Sequence, residues 1–247
     1  MEQSVGQDIL FLPEVTNCIS SDWVHLNKVL GLYEGNFFIK KISERARDLK
    51  IWVALGSVAV KVNRTDERYV NRSILINSNG SIVAWYDKIH MFDVTLSDTE
   101  SYQESKHYQQ GKHAVLAQTP WANIGLTICY DLRFAGLYRT LAKSGAQILT
   151  VPAAFTCPTG EAHWHTLIKS RAIETGCFLI ASAQTGEHPG SNRKTYGHSL
   201  IVNPWGEVIL DGGKLPGLFF AKLDLREVKS ARNRIPSLSD NSEFKIR

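Results

Sequence analysis

Leu126-Thr127-Ile128-Cys129-Tyr130-Asp131-Leu132-Arg133-Phe134 decides how this 247-residue chain folds. Residues 123 to 129 read as a short buried strand, apolar and rich in β-branched side chains. A helical pattern opens at Ala135, with Leu137, Leu141 and Ala142 spaced for one face. Cys129 therefore sits at the carboxyl end of a strand, on a turn into a helix. Open α/β sheets carry their chemistry there, and backbone N–H groups just past the turn can face a developing anion. Free cysteines are among the most buried residue types, so a core thiol is the ordinary reading of a lone Cys. The charged Asp131 and Arg133 directly behind this one argue against a plain core turn.

The rest of the composition bounds the answer. Hydrophobic content of 43% with 21% charged residues is that of an ordinary globular protein. A net charge of +4, spread along the chain, argues against a nucleic-acid or membrane-surface partner, which calls for a basic stripe. No apolar run approaches a membrane span, and the first eight residues lack the basic and apolar regions of a signal peptide. Cysteines 18, 129, 157 and 177 form no C-x-x-C pair and no zinc spacing. Reduced thiols in the cytoplasm are the simplest expectation. With no repeat or linker, residues 1–247 are expected to form one domain, residues 230–247 being a C-terminal tail.

Asp8 to Pro13 reads as a strand apolar on both faces, stopped by Pro13 with Glu14 directly behind it. Residues 36–49 predict a helix, and 51–58, 69–77 and 81–86 predict strands, the last two joined at Ser78-Asn79-Gly80. The third of these strands runs into Lys88. Residues 93–110 are polar and aperiodic and predict a long loop. Strands are expected at 113–118, 123–129, 147–151, 177–183, 199–203, 207–210 and 218–223. A Gly/Pro loop is expected at 155–161 and a helix at 162–175, capped by Gly176. These roughly ten or eleven strands fit two stacked sheets between helix layers better than one sheet.

Cysteine chemistry needs something to take the thiol proton, and a carbonyl under attack needs positive charge at its oxygen. Three separate strand ends here supply a carboxylate (Glu14), a lysine (Lys88) and the thiol (Cys129). At these residues the chain resembles the nitrilase superfamily of carbon–nitrogen hydrolases. The resemblance rests on Phe-Leu-Pro-Glu at 11–14, Tyr-Asp-Lys-Ile-His at 86–90 and Ile-Cys-Tyr-Asp-Leu-Arg-Phe at 128–134. It implies a Glu-Lys-Cys triad, with Glu104 of Gln103-Glu104-Ser105-Lys106 as a second glutamate. The segments 160–165, 171–174 and 196–199 resemble the branch of the family whose members hydrolyse deaminated glutathione.

The resemblance also implies an α-β-β-α sandwich, a homodimer or larger assembly, and no metal or organic cofactor. Its substrate would be a small amide bearing a carboxylate, opened through a cysteine thioester with release of ammonia. Tyr130, Arg133, Phe155 and Thr195 would surround that substrate. Two departures from the family stand out. The usual first strand and most of a helix ahead of Asp8 are lacking, which predicts an unpaired sheet edge and lowered stability. Ala135-Gly136 also stands where Pro-Glu is usual. Rival expectations are a Cys–His hydrolase using His90, His163, His165 or His198, a metal site at His163 and His165, another linear or N-carbamoyl amidase, and a catalytically impaired interaction protein.

Overall fold

A computed structural model of the chain describes every residue except 21, 64, 66, 99, 189–192, 244 and 247. The first half supplies β1 (Ile9–Phe11), α1 (Trp23–Val29), α2 (Phe37–Leu49), β2 (Trp52–Val60), β3 (Tyr69–Ile76) and β4 (Ile82–Asp87). These strands lie in the order β1-β2-β3-β4, with β1 parallel to β2 and the remainder antiparallel. The hairpin of β5 (Asp93–Ser97) and β6 (Glu100–Gln103) follows, then the short β7 (Tyr108–Gln109), parallel to β3.

The second half supplies β8 (Val115–Gln118), β9 (Asn123–Leu126), α3 (Ala135–Lys143), β10 (Ile148–Thr150), α4 (Cys157–Thr175) and β11 (Phe178–Ala181). After these come β12 (Thr185–Glu187), β13 (Lys194–Tyr196), β14 (Leu200–Val202), β15 (Val208–Asp211) and α5 (Arg226–Arg234). The second sheet has the order β15-β14-β11-β10-β9-β8, with β9, β10 and β11 parallel.

The central strands β2 and β3 are buried on both faces, which is why their apolar residues run nearly unbroken instead of alternating, whereas β4 exposes Ile82, Val83 and Trp85. Val53 and Leu55 of β2 and Ile74 and Ile76 of β3 pack with Ile39 and Ala46 of α2. Between them, Ala54 and Leu75 point the other way and meet Ala117 of β8. The second sheet buries its outer face under Tyr138 and Leu141 of α3 and Trp164, Ile168 and Ala172 of α4. The layers are therefore α-β-β-α, as the sequence predicts. Among the described residues β1 pairs only with β2, so it ends its sheet.

Three expectations are corrected, and one helix is added. Residues 93–110 are not a structureless loop: β5 and β6 pair there, and β5 alternates half-buried Val94 and Leu96 with exposed Asp93, Thr95 and Ser97. Helix α4 starts five residues early, at Cys157, because the extended Thr156 ends the strand region and Pro158 is tolerated in a first turn. No strand forms at 218–223, where Phe219 instead lies against Gly212 and Gly217. Helix α1 carries no regular apolar stripe and went unread; Asp22 caps it by accepting from Val24 and His25 N–H groups.

Candidate active site

Glu14 is delivered by the far end of β1. Leu12 N–H donates to Ala54 O (2.9 Å) and Ser57 N–H to Pro13 O (3.1 Å), so pairing with β2 continues past the strand. Val15, next in line, has φ of 46°, a left-handed conformation that is a true outlier for a β-branched residue. Its N–H donates to Ser57 Oγ at 2.8 Å. Lys88 is the first residue past β4. Its N–H donates to Asn71 O (3.0 Å) and its carbonyl accepts from Gly111 (2.7 Å), while Arg72 grips the neighbouring Asp87 with two bonds of 2.7 and 2.8 Å.

Cys129 begins a short 3-10 helix over Cys129–Arg133 and has φ of 48°, again left-handed. Strain of this kind at a non-glycine residue costs on the order of 1–3 kcal/mol and clusters at functional sites. The turn is tied down by the fully buried Asp131, which accepts from Ile128 N–H (2.8 Å), Tyr86 Oη (2.7 Å) and His90 N–H (3.1 Å). Asp131 thereby joins the turn that carries Cys129 to the strand that carries Lys88. Among the described residues the Tyr130 N–H, in the first turn of that helix, donates to nothing.

The three strand ends converge. Lys88 Nζ lies 3.2 Å from Glu14 Oε1 and 2.9 and 2.8 Å from the two oxygens of Glu104. Glu14 Oε1 accepts from Asn71 Nδ2 (2.9 Å) and Glu14 Oε2 from Ala154 N–H (2.9 Å), and the Cys129 thiol faces the same cavity. Glu104 is held by Phe92 N–H at 2.6 Å. These groups face a cavity of about 800 Å³ lined by Glu14, Lys88, Glu104, Cys129, Tyr130 and Phe155 among others. That size suits a small organic ligand.

The electrostatics separate the charges. Burial raises the Glu14 carboxyl, but Lys88, then Arg193, the thiol and Asn71, outweigh it and hold Glu14 below the usual carboxylate range. Burial works against the Lys88 ammonium; Glu104 and Glu14 overcome it and push the lysine above its usual range. Burial, then the Glu14 charge, pushes the Cys129 thiol up, against Lys88 and the Ala154 N–H. At neutral pH the resting site is thus carboxylate, ammonium and neutral thiol.

Of the residues expected around the substrate, Tyr130 and Phe155 line the cavity and Arg133 and Thr195 do not. Arg133 stacks near two of the lining rings, its guanidinium 5.9 Å from the Tyr130 ring centre and 5.7 Å from that of Phe155. Thr195 is buried in β13, its hydroxyl 2.8 Å from His188 Nε2. Sequence reasoning missed Asn71 and Arg193, both of which line the cavity. The run Asn71-Arg72-Ser73 inside an otherwise apolar strand was the available signal for the first; Arg193 lies beside a Gly/Ser/Asn stretch with no pattern.

The histidines considered as bases turn elsewhere. His90 Nδ1 bonds Asp131 (2.7 Å), His163 Nδ1 faces Arg133 (3.3 Å), and His165 and His198 both bond Asp211. None of these four lines the cavity. His163 and His165 point to different partners, so they do not form the paired metal site considered from sequence.

The carbon–nitrogen hydrolase family matches residues 1–233. The chain belongs to that family. Within it, the deaminated glutathione amidase of Yersinia enterocolitica is 41% identical over 203 residues, 82% of this chain and 71% of that protein. The human protein of the same name is 37% identical over 238 residues, 94% of this chain and 71% of its own. Among solved structures, the NitFhit protein of C. elegans superposes with a TM-score of 0.89 at 35% identity. That match covers 96% of this chain and 58% of the worm protein.

Proposed function

We propose that this chain is a cysteine-dependent amidase acting on a small amide that bears a carboxylate, with deaminated glutathione or a related keto-acid ω-amide as substrate. The observation that carries the reading is the ionised Glu14, bonded to the Lys88 ammonium that Glu104 also grips, facing the same cavity as the Cys129 thiol and close enough to it for each to shift the other. Glu14 takes the thiol proton as sulfur attacks the amide carbonyl, and the oxyanion is met by Lys88 and by the unengaged Tyr130 N–H. Glu14 returns the proton to nitrogen, ammonia leaves, and a thioester remains. Water then loses a proton to Glu14, attacks the thioester and releases the acid, with the proton restored to sulfur. Glu104 keeps Lys88 charged and placed.

Asn71 adds to this cycle. Its amide donates to Glu14 and, at 3.4 Å, to Glu104, while its buried Oδ1 has no partner among the described residues and can accept from the departing ammonia. Phe155 supplies an apolar wall, and Arg133 and Thr195 support it. Arg193, which lies close enough to lower the Glu14 carboxyl, is the cation for the substrate carboxylate. The relatives' names support the substrate class. An intact set of Glu14, Lys88, Glu104 and Cys129 favours an active enzyme over an impaired interaction protein.

The same proposal takes residues 1–247 as one domain in a homo-oligomer, with four free thiols suited to the cytoplasm. No described helix is long and apolar enough to cross a membrane. A panel of acidic, neutral and N-carbamoyl amides assayed for ammonia release tests the assignment. Acidic ω-amides should turn over fastest, and Glu14→Gln should lose about 10²–10⁴ in rate. Preference for N-carbamoyl compounds, or full activity of Glu14→Gln, contradicts it.

A further inference from the structure

His165, on the middle of α4, meets two residues from the far edge of the second sheet. His165 Nε2 lies 3.1 Å from Asp211 Oδ2, and His198 Nδ1 lies 2.8 and 3.0 Å from the two Asp211 oxygens. The three ligating atoms fall within 4.8 Å of one another. Three elements thus contribute one atom each: a helix, the turn between β13 and β14, and the end of β15.

His198 reaches this place through an unusual backbone. Its φ is 55°, left-handed for a non-glycine residue, and its N–H donates to Gly213 O at 2.7 Å while its carbonyl accepts from Trp164 Nε1 at 2.8 Å. The backbone is therefore fixed on both sides, and the ring is stacked on Tyr196 with centroids 4.5 Å apart. Strain held in place by surrounding bonds is a reason to look for function. Asp211 is oriented by Gly213 N–H at 2.8 Å. The carboxylate and both imidazoles are 19–35% exposed, open enough for a water to complete a coordination sphere.

We propose that His165, His198 and Asp211 form a site for a divalent transition metal of the zinc type. Two imidazoles and one carboxylate are a donor set for zinc, whereas magnesium and calcium call for oxygen alone. Without metal, the ring nitrogen facing Asp211 carries the proton the carboxylate accepts; metal binding requires that proton to move to the other ring nitrogen, leaving a lone pair for the metal. Donor atoms within 4.8 Å of one another close onto a common centre at about 2.0–2.1 Å by small side-chain rotations. None of the three lines the main cavity, so the metal takes no part in amide hydrolysis. It clamps α4, whose first turn does line that cavity with Cys157 and Thr159, to the sheet edge.

The test uses the full chain carrying Cys129→Ala, so that the active-site thiol binds nothing. Titration with cobalt(II), read by its visible absorption, and with zinc(II), read by calorimetry, should show one equivalent bound. Zinc should also raise the melting temperature, and magnesium and calcium should not. His198→Ala and Asp211→Asn should each weaken binding by at least about 100-fold. His165→Gln, on the helix, should do the same and keeps the test open if changing the strained His198 position or Asp211 unfolds the chain. No stoichiometric binding by the parent chain, or binding that His165→Gln leaves unchanged, overturns the proposal.

Discussion

Gly56 of β2 runs so close beneath Leu12 that a Cβ built on it falls 1.9 Å from the Leu12 carbonyl oxygen and 2.2 Å from that of Pro13. Only a residue without a side chain lets the end of β1 lie this low, and Glu14 is the next residue but one. Gly56→Ala must push the segment outward and with it the carboxylate. A misplacement of about 1 Å costs on the order of 100-fold in rate. We expect kcat/KM to fall by at least that factor, with a lowered unfolding midpoint; unchanged kinetics would detach Glu14 from catalysis.

Asp131 should be the structural joint between the two strand ends. Asp131→Asn keeps the shape but turns its one amide N–H₂ toward either Ile128 N–H, now bonded to Oδ2, or His90 N–H, now bonded to Oδ1, and neither can accept. Each buried donor left unpaired costs about 1–3 kcal/mol. Chemical denaturation should show a loss of at least about 2 kcal/mol, and crystals of the variant should show the Cys129 turn displaced. A variant as stable as the parent contradicts the joint.

The pH dependence separates a carboxylate base from an imidazole. Glu14 is held below the usual range, so it stays ionised, and its contribution to stability stays intact, above its unfolded value near about 4.3; both drain away only as pH falls through the lower folded value. Lys88 is shifted up, so its contribution is full below about 10.4 and is lost only as pH rises through the higher folded value. The profile of kcat/KM should therefore be level between about pH 5.5 and 8. An inflection near 6.5, the histidine range, would instead support a Cys–His hydrolase.

Much of this site can be read from residue order because the chemistry sits where strands end. Pro13-Glu14, Asp87-Lys88 and Cys129-Tyr130-Asp131 each interrupt an apolar run with a charge, and chain order alone marks those interruptions. What chain order does not carry is register. Asn71 reaches Glu14 only because β3 lies beside β2, and Asp211 reaches His198 only through the pairing of β14 with β15. The hairpin of β5 and β6 escaped for a different reason. Its one alternation, Val94 and Leu96 between polar residues, is a single five-residue run, and β6 adds only Tyr102 to it.

Arg193 offers a test of substrate choice. Its guanidinium stands 5.5 Å from the Tyr102 ring centre and donates to Ala154 O at the cavity wall. Losing a charged hydrogen-bond partner is worth about 1.5–3 kcal/mol, roughly ten- to a hundredfold. Arg193→Ala should raise KM for acidic amides by that factor and change KM for uncharged amides little. Arg133→Ala, acting through the Tyr130 and Phe155 rings, should affect both classes alike. An unchanged KM for acidic amides in Arg193→Ala would move the carboxylate site elsewhere.

The central claim is a thioester on Cys129. Acid quenching during steady-state turnover of an acidic ω-amide, followed by peptide mass spectrometry, reads it directly. The account predicts the acyl mass on the peptide containing Cys129, removable by hydroxylamine, and none in Cys129→Ala, which should also lack activity. An acyl adduct confined to Cys157 or Cys18, or turnover by Cys129→Ala at the parent rate, would contradict it.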